Sequence, residues 1–520
     1  MEYAFDRGMM APEDFGTMTH WYSRTPQDFL EKKKPPFLPQ ATRGYGEPSG
    51  LVWDIRQKEW MDNYWKITDA AIANYGREGL LHTIGIAERR VSKNREENLA
   101  MKKSLTELLL SNAKTRHPSS QLLLAGWDLY CMKDPAEVRA FLKNIPQDVV
   151  IWDYEADAYM NTNFTEWDVI GKRPYTFGIF MAYEAGLDPR TDYARVLERQ
   201  RAIEGDTNCV GYILWPESSH VDSMGLEFFA KNSWRADRTD VDGIVHEYCA
   251  GRYGKSAAAM EEIWRNAIPI STNVQEVWRR NWCLTVMRDM GAWSGKIAND
   301  KAKWDAPRAN SSFAAAPEIL RALAKVDAFE SEMTWRDAMD LARVASDRLV
   351  VEAENRLMHA YFTWRDEKSA QAGASATAWA EHAKKLSRLA ARLLQLHSDY
   401  SLCDTMAHLN AVEKVANPNF DRTLIDNCSN FYCASHQAEM AEHLYAPSLA
   451  IFADQICGKI AADDRSPLSQ AGIRDLREKV LATPLESMRS TEPRTQENFR
   501  AILGELAEAA CSFLAPATAK

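Results

Sequence analysis

No run of about 18 apolar residues occurs anywhere in the 520-residue sequence, so no segment reads as a membrane-spanning helix. Basic residues are in the minority, 63 Lys and Arg against 73 Asp and Glu, and no basic stripe offsets the net charge of −10. Nucleic acid is thereby set aside as the main partner. No C-x-x-C pair is present, and the nine cysteines are widely spaced and odd in number. That pattern reads as thiols kept in a reducing compartment rather than as a disulfide frame. The opening Met-Glu-Tyr-Ala-Phe-Asp-Arg-Gly has no basic n-region leading into an apolar h-region, so the expected location is the cytoplasm. The sequons at Asn163, Asn310 and Asn427 would matter only in a secretory pathway. Dinucleotide-binding, P-loop, G-x-S-x-G and H-E-x-x-H signatures are all missing, which removes support for nucleotide binding, α/β-hydrolase chemistry and a helical zinc site. Internal repeats and long low-complexity tracts are also lacking.

What remains is a globular composition, 46% hydrophobic and 26% charged, with 17 Trp, 18 Tyr and 18 Phe. At roughly 100–200 residues per domain the length suits two to four domains. The aromatic residues suit either core filling or a surface that stacks on sugar rings.

Two grammars divide the chain. In residues 1–240, short apolar runs alternate with helical stretches. The clearest runs are Leu81–Ala87, Gln121–Trp127, Asp148–Asp153, Pro174–Met181 and Cys209–Trp215. They are continuous rather than alternating, as in parallel strands buried on both faces. Helix-like stretches lie between them, at Glu96–Ser111, Pro135–Asn144 and Asp192–Ile203. The expectation is an α/β domain, either a TIM-type barrel or an open sheet. In residues 241–520, strand-like runs give way to long Ala/Leu/Glu/Arg-rich segments such as Trp335–Arg365 and Ala376–His397. Apolar residues recur at three and four positions, as at Ala338, Leu341, Ala345, Leu349, Ala353 and Leu357, which predicts an all-α C-terminal domain.

Chemistry in a barrel is carried at the C-terminal ends of the strands. Polar and aromatic residues there are Glu88, Trp127, Asp128, Asp153, Tyr154, Glu184, Trp215 and Glu217. Glu88 and Glu217 follow different strands and could face one another across the mouth, supplying the two carboxylates that glycoside hydrolysis requires. On spacing alone, two surface glutamates in βα loops are the plainer alternative. Glu217, His220 and Asp222 form an E-x-x-H-x-D run, but one loop offers too few ligands, and no metal is expected. His436 and His443 read as packing histidines on one helical face.

Several motifs then occur in an order that resembles the α-N-acetylglucosaminidases of glycoside hydrolase family 89. IAERR at Ile86–Arg90 stands where that family has a Phe-Asn-Glu acid motif. LLAGWDLY at Leu123–Tyr130 is similar to a leucine-rich run ending in Gly-Trp, and DPAEVRAFLKNIPQDVVIWDYEAD matches the next helix and strand. CVGYILWPESS resembles a Val-Gly-x-x-x-x-Pro-Glu segment, VHEYCAGRYG the opening of the helical domain, and HLYAP a late Tyr-x-Pro motif. The resemblance implies a retaining α-glycosidase with Glu88 as general acid/base and Glu217 as nucleophile. It implies Trp127 against the sugar or its acetamido group, and Tyr432 as an aromatic lent by the helical domain to a site between the domains. Asp153 and Glu184 would be hydroxyl contacts, with Trp215 beside them. The expected substrate is a terminal α-linked N-acetylhexosamine or related hexose, and no cofactor is implied.

Three departures bear on specificity. Ala87 replaces an Asn, Met181-Ala182-Tyr183 replaces His-Asn-Phe, and Thr423 stands where the family has a pocket Trp. A changed substrate is the expected consequence. The family also carries a small domain and further barrel strands before the region matching Gly8, so the barrel here is expected to be incomplete. A non-catalytic carbohydrate-binding relative is the alternative, and a helical interaction protein with a structural barrel remnant is a third reading. Oligomeric state is not legible.

Overall fold

The computed structural model describes residues 6–9, 13–14, 27–39, 53–75, 79–83, 85, 91–130, 132, 134–153, 163–180, 189, 191–215, 222–272, 282–290, 298–305, 311–413, 420–430 and 434–514. The chain divides into two compact units. One comprises Met1–Phe180, Ala194–Trp215 and Asn232–Asp237, and the other Met181–Tyr193, Pro216–Lys231 and Arg238–Lys520.

The first unit is built on a six-stranded sheet: β1 (Glu13–Asp14), β2 (Leu80–Thr83), β3 (Gln121–Ala125), β4 (Val150–Trp152), β5 (Tyr175–Ile179) and β6 (Cys209–Leu214). The strands pair in chain order and every pair is parallel. Parallel neighbours need a crossover, and helices α1 (Lys58–Tyr75), α2 (Arg95–Arg116), α3 (Pro135–Leu142) and α4 (Tyr193–Ala202) lie between the strands in sequence. Local chemistry sets where these helices begin. Asn94 caps α2 by accepting the amides of Glu96 and Glu97, and Asp134 caps α3 by accepting that of Ala136 ahead of Pro135 at the first turn.

The apolar runs explain the central strands: every residue of β4 and β5 is buried. Pairing of β5 with β6 is close enough that a Cβ on Gly178 would collide with the Ile213 carbonyl, so only glycine fits there. At the other end of β6, the Asp206 carboxylate accepts the amides of Gly171 and Asn208, the Asn208 side chain and the Tyr175 hydroxyl. Burial works to raise this carboxyl, but the hydrogen bonds from Asn208, Gly171 and Tyr175 outweigh it and hold it at about 2.

β6 itself departs from the sequence expectation of burial on both faces. Val210, Tyr212 and Leu214 are exposed, alternating with half-buried Cys209, Gly211 and Ile213. Among the described residues β6 pairs only with β5, so it lacks the second neighbour that shields a central strand. Trp234, 89% exposed, stands against Tyr212 on the same side. Among the described residues the sheet is an incomplete barrel.

The second unit is helical. Its axis is α5 (Glu332–Glu367), a 36-residue helix that Ser331 caps through the Thr334 amide and that ends at Lys368 in the left-handed region. Helix α6 (Ala370–Leu394) packs along α5, and against α7 (Ala446–Ala461) and α8 (Gln496–Leu514). Ala338, Leu341, Ala345, Leu349, Ala353 and Leu357 are all buried, as their periodicity predicts. No helix among the described residues is long and apolar enough to cross a membrane.

Candidate active site

In a parallel sheet all strands end on one edge, and the side chains that follow them gather there. Three aromatic rings show how far this sheet curls. His82 of β2 lies edge-on to Trp152 of β4 with centroids 4.7 Å apart, and to Trp215, just past β6, at 5.8 Å. Trp152 and Trp215 are tilted against each other at 4.8 Å. In a flat sheet, β2 and β6 would be four spacings apart, about 19 Å. Ring contact between them requires the strands to bend round a common interior, which decides for a barrel over an open sheet.

The register explains why these three rings share that interior. His82 aligns with Leu123, Leu123 with Val150, and Trp152 with Thr176, so these side chains lie on one face. Trp215 continues the Gly211–Ile213 face of β6, and its amide donates to the Ile179 carbonyl at 3.1 Å. His82 and Trp152 are buried, and Trp215 is half-buried. Sequence reasoning missed His82. Its one signal was parity: within Leu-His-Thr the histidine takes the inward-facing position of an apolar strand.

The remaining strand-end residues fall as follows. Trp127, half-buried, opens a single helical turn, Trp127–Tyr130, directly after β3. Asp153, expected as a hydroxyl contact, is fully buried, and its Oδ2 accepts the Phe164 amide at 2.9 Å. Its own amide donates to the Thr176 carbonyl at 3.0 Å. Asp153 thus anchors the turn that follows the β4 loop. Beyond β2, Gly85 turns the backbone at φ +63° while its amide donates to the Thr83 hydroxyl at 3.0 Å. Glu88, Glu184, Glu217 and Tyr432 lie outside the described residues, as do Asp128 (side chain), Tyr154, Ala87 and Met181–Tyr183. Thr423 is exposed on the helix Phe420–Cys428.

Asp222, the last member of the E-x-x-H-x-D run, is committed elsewhere. Its Oδ2 accepts the amide and hydroxyl of Thr191 at 2.8 and 2.7 Å, and its Oδ1 accepts the Gly225 amide. Among the described residues no cluster of three His, Cys, Asp or Glu side chains is placed to hold a metal ion.

No protein-family model and no curated protein matches this sequence. Solved structures do match. The family 89 glycoside hydrolase from Clostridium perfringens in complex with PUGNAc aligns over 94% of this chain with a TM-score of 0.65 at 12% identity. Its complex with 2-acetamido-1,2-dideoxynojirmycin gives 0.68 at 10% identity over the same 94%. The chain has the fold of the family 89 glycoside hydrolases. A third structure, a variant of the clostridial enzyme with two glutamates replaced by glutamine and bound to its substrate GlcNAc-α-1,4-galactose, aligns over 95% of this chain with a TM-score of 0.65 at 12% identity. The chain spans 55–56% of the length of those family 89 structures.

Proposed function

We propose that this chain carries the catalytic part of a retaining α-glycosidase acting on a terminal α-linked N-acetylhexosamine or a related hexose. The supporting observation is a family 89 glycoside hydrolase fold that extends over nearly the whole chain, together with Glu88 and Glu217 following two of its strands in sequence. Residues 1–240 form the barrel-like domain of this reading and 241–520 the helical one.

In the first step the Glu217 carboxylate attacks the anomeric carbon while Glu88, protonated at rest, donates its proton to the departing glycosidic oxygen. A glycosyl ester forms on Glu217 with inverted configuration. Glu88, now a carboxylate, then takes a proton from water as that water attacks the same carbon, and a second inversion restores the α-anomer. Such a pair stands about 5–5.5 Å apart, carboxyl to carboxyl. Trp127, Trp215 and Tyr432 supply ring surfaces for the sugar, and Glu184 a hydroxyl contact. Asp153 enters as the buried residue that holds the turn at Phe164. The two carboxylates suffice for the chemistry, so no metal or organic cofactor is assigned.

Fluorogenic α-glycosides of GlcNAc, GalNAc, Glc and Gal test the reading. One sugar is expected to turn over, and the loss of the family's Asn at Ala87 favours a ranking in which the 2-acetamido group contributes little. A folded protein that binds one of these sugars without hydrolysing any would establish the carbohydrate-binding alternative instead.

A further inference from the structure

The outward face of β6 carries a tryptophan that contributes almost nothing to the core. Trp234 directly follows the helix Ser223–Ser233 and is 89% exposed, and its ring meets that of Tyr212 at 6.3 Å and an angle of 70°. Successive residues of a strand point to opposite faces, so Tyr212 stands on the other side of the sheet from Trp215, His82 and Trp152. A cleft of about 110 Å³ opens beside the two rings. It reaches Asp206 and Cys209 at the start of β6, about 20 Å by strand rise from Trp215 beyond its other end. Every residue lining it belongs to the first unit.

The rest of the lining is largely polar. Gln200, in the last turn of α4, and Asn232 are amide side chains buried against the cleft, whereas Glu204 and Arg235 are exposed beside it. Neither Glu204 nor Arg235 makes a side-chain hydrogen bond or ion pair among the described residues. Asp206 is already engaged by the amides of Gly171 and Asn208, the Asn208 side chain and the Tyr175 hydroxyl, and adds only its charge. A tryptophan face takes the C–H side of a pyranose ring, while a carboxylate that accepts and a guanidinium that donates pair with its hydroxyls. An apolar partner would desolvate both charges without pairing them. Single-stranded nucleic acid also stacks on exposed rings but needs a basic groove, and here Glu204 and Asp206 outweigh Arg235 while Arg201 is paired with Asp237. At about 10–15 Å³ per water-sized group, the cleft has room for about seven to eleven such groups, which suits one monosaccharide.

We propose that Trp234, Tyr212, Glu204 and Arg235 form a second saccharide-binding site on the outer face of the sheet, taking one pyranose residue of a glycan. The site holds sugar and performs no chemistry on it. A glycan seated there and at the strand ends would be retained by both contacts, because the second binding event becomes intramolecular. One residue stacked on an exposed ring is expected to bind with a Kd of about 1–10 mM.

Fluorine NMR of the full chain labelled with 5-fluorotryptophan reads this site alone, the resonance missing from Trp234→Phe being that of Trp234. Trp234 and Glu204 are exposed, so their variants are expected to fold as the wild type does, which circular dichroism checks. Galactose, glucose, N-acetylglucosamine and GlcNAc-α-1,4-galactose are each titrated to about 100 mM, well above the expected Kd. At least one is expected to shift the Trp234 resonance saturably, and Glu204→Gln and Tyr212→Ala to raise its Kd about threefold or more. A resonance that none of these sugars moves would overturn the proposal. So would a shift reproduced by choline chloride, which would make the rings a cation site. A resonance that moves on dilution of the protein without sugar would overturn it too, and would make the patch an interface between copies of this chain. Absence of hydrolysis by the wild type would overturn the glycosidase reading and leave this site standing.

Discussion

Glu217→Gln is expected to abolish hydrolysis, with a loss of about 10⁴-fold or more in kcat. The amide matches the carboxylate in shape but carries no charge and is a poor nucleophile, so the glycosyl ester cannot form. Glu88→Gln is expected to behave differently. Without a proton donor, a poor leaving group such as a second sugar departs about 10²–10⁴-fold more slowly. A good leaving group such as 2,4-dinitrophenolate needs little protonation. Its first step should survive in Glu88→Gln, and the covalent intermediate should then accumulate for want of a base to activate water. Steady-state rates on the two leaving groups, with the initial burst of dinitrophenolate, distinguish the roles. If both variants lose the same factor on both substrates, the assignment of acid and nucleophile is wrong. If either retains wild-type rates, that glutamate is not catalytic.

The second large effect concerns folding. Asp347→Ala is expected to destabilise the helical unit by about 3–5 kcal/mol, the cost of leaving buried charges without their counter-ion. Removing this one carboxylate takes the counter-ion from Arg348, which keeps only its bond to the Ile270 carbonyl among those described, and an acceptor from the Nε2–H of His436 and from the Trp282 amide. Asp347→Asn should cost less, because its carbonyl can still accept from His436 and Trp282 while only the Arg348 side loses an acceptor. Urea unfolding followed by far-ultraviolet circular dichroism reads both. A shift for Asp347→Ala worth less than about 1 kcal/mol would mean that water reaches the site and solvates the orphaned groups.

Much of this architecture was legible from local pattern. The run Gln121–Trp127 contains β3, Asp148–Asp153 contains β4, and the stretch Trp335–Arg365 lies within α5. Where a strand is buried on both faces, or a helix presents one apolar stripe, hydrophobicity reports the structure directly. Pattern fails where the neighbours decide. β1 is only Glu13 and Asp14, polar residues that are strand solely because their backbone pairs with Leu81 and His82. β6 has a core-like sequence yet keeps an open face, since its exposure depends on its having β5 as its one neighbour among the described residues rather than on its own residues.

The same holds at the sites. The strand-end position of Trp127 and Trp215 followed from order alone, whereas the approach of Trp215 to His82 depends on curvature that accumulates over five strands. On α5, Asp340, Arg343 and Asp347 recur at helical spacing, which in isolation describes a solvated face. They are buried because partners distant in sequence, His436 and Tyr400 among them, bring complementary groups to the same place. His436 was readable as a satisfied packing histidine, but not the identity of the groups that satisfy it.

The retaining double displacement is tested most directly by following hydrolysis of the best α-glycoside by proton NMR and recording which anomer appears first. Two inversions at one carbon deliver the α-anomer, with the β-anomer growing in only at the rate of mutarotation. First appearance of the β-anomer would contradict the assignment of Glu217 as nucleophile and require a single displacement by water.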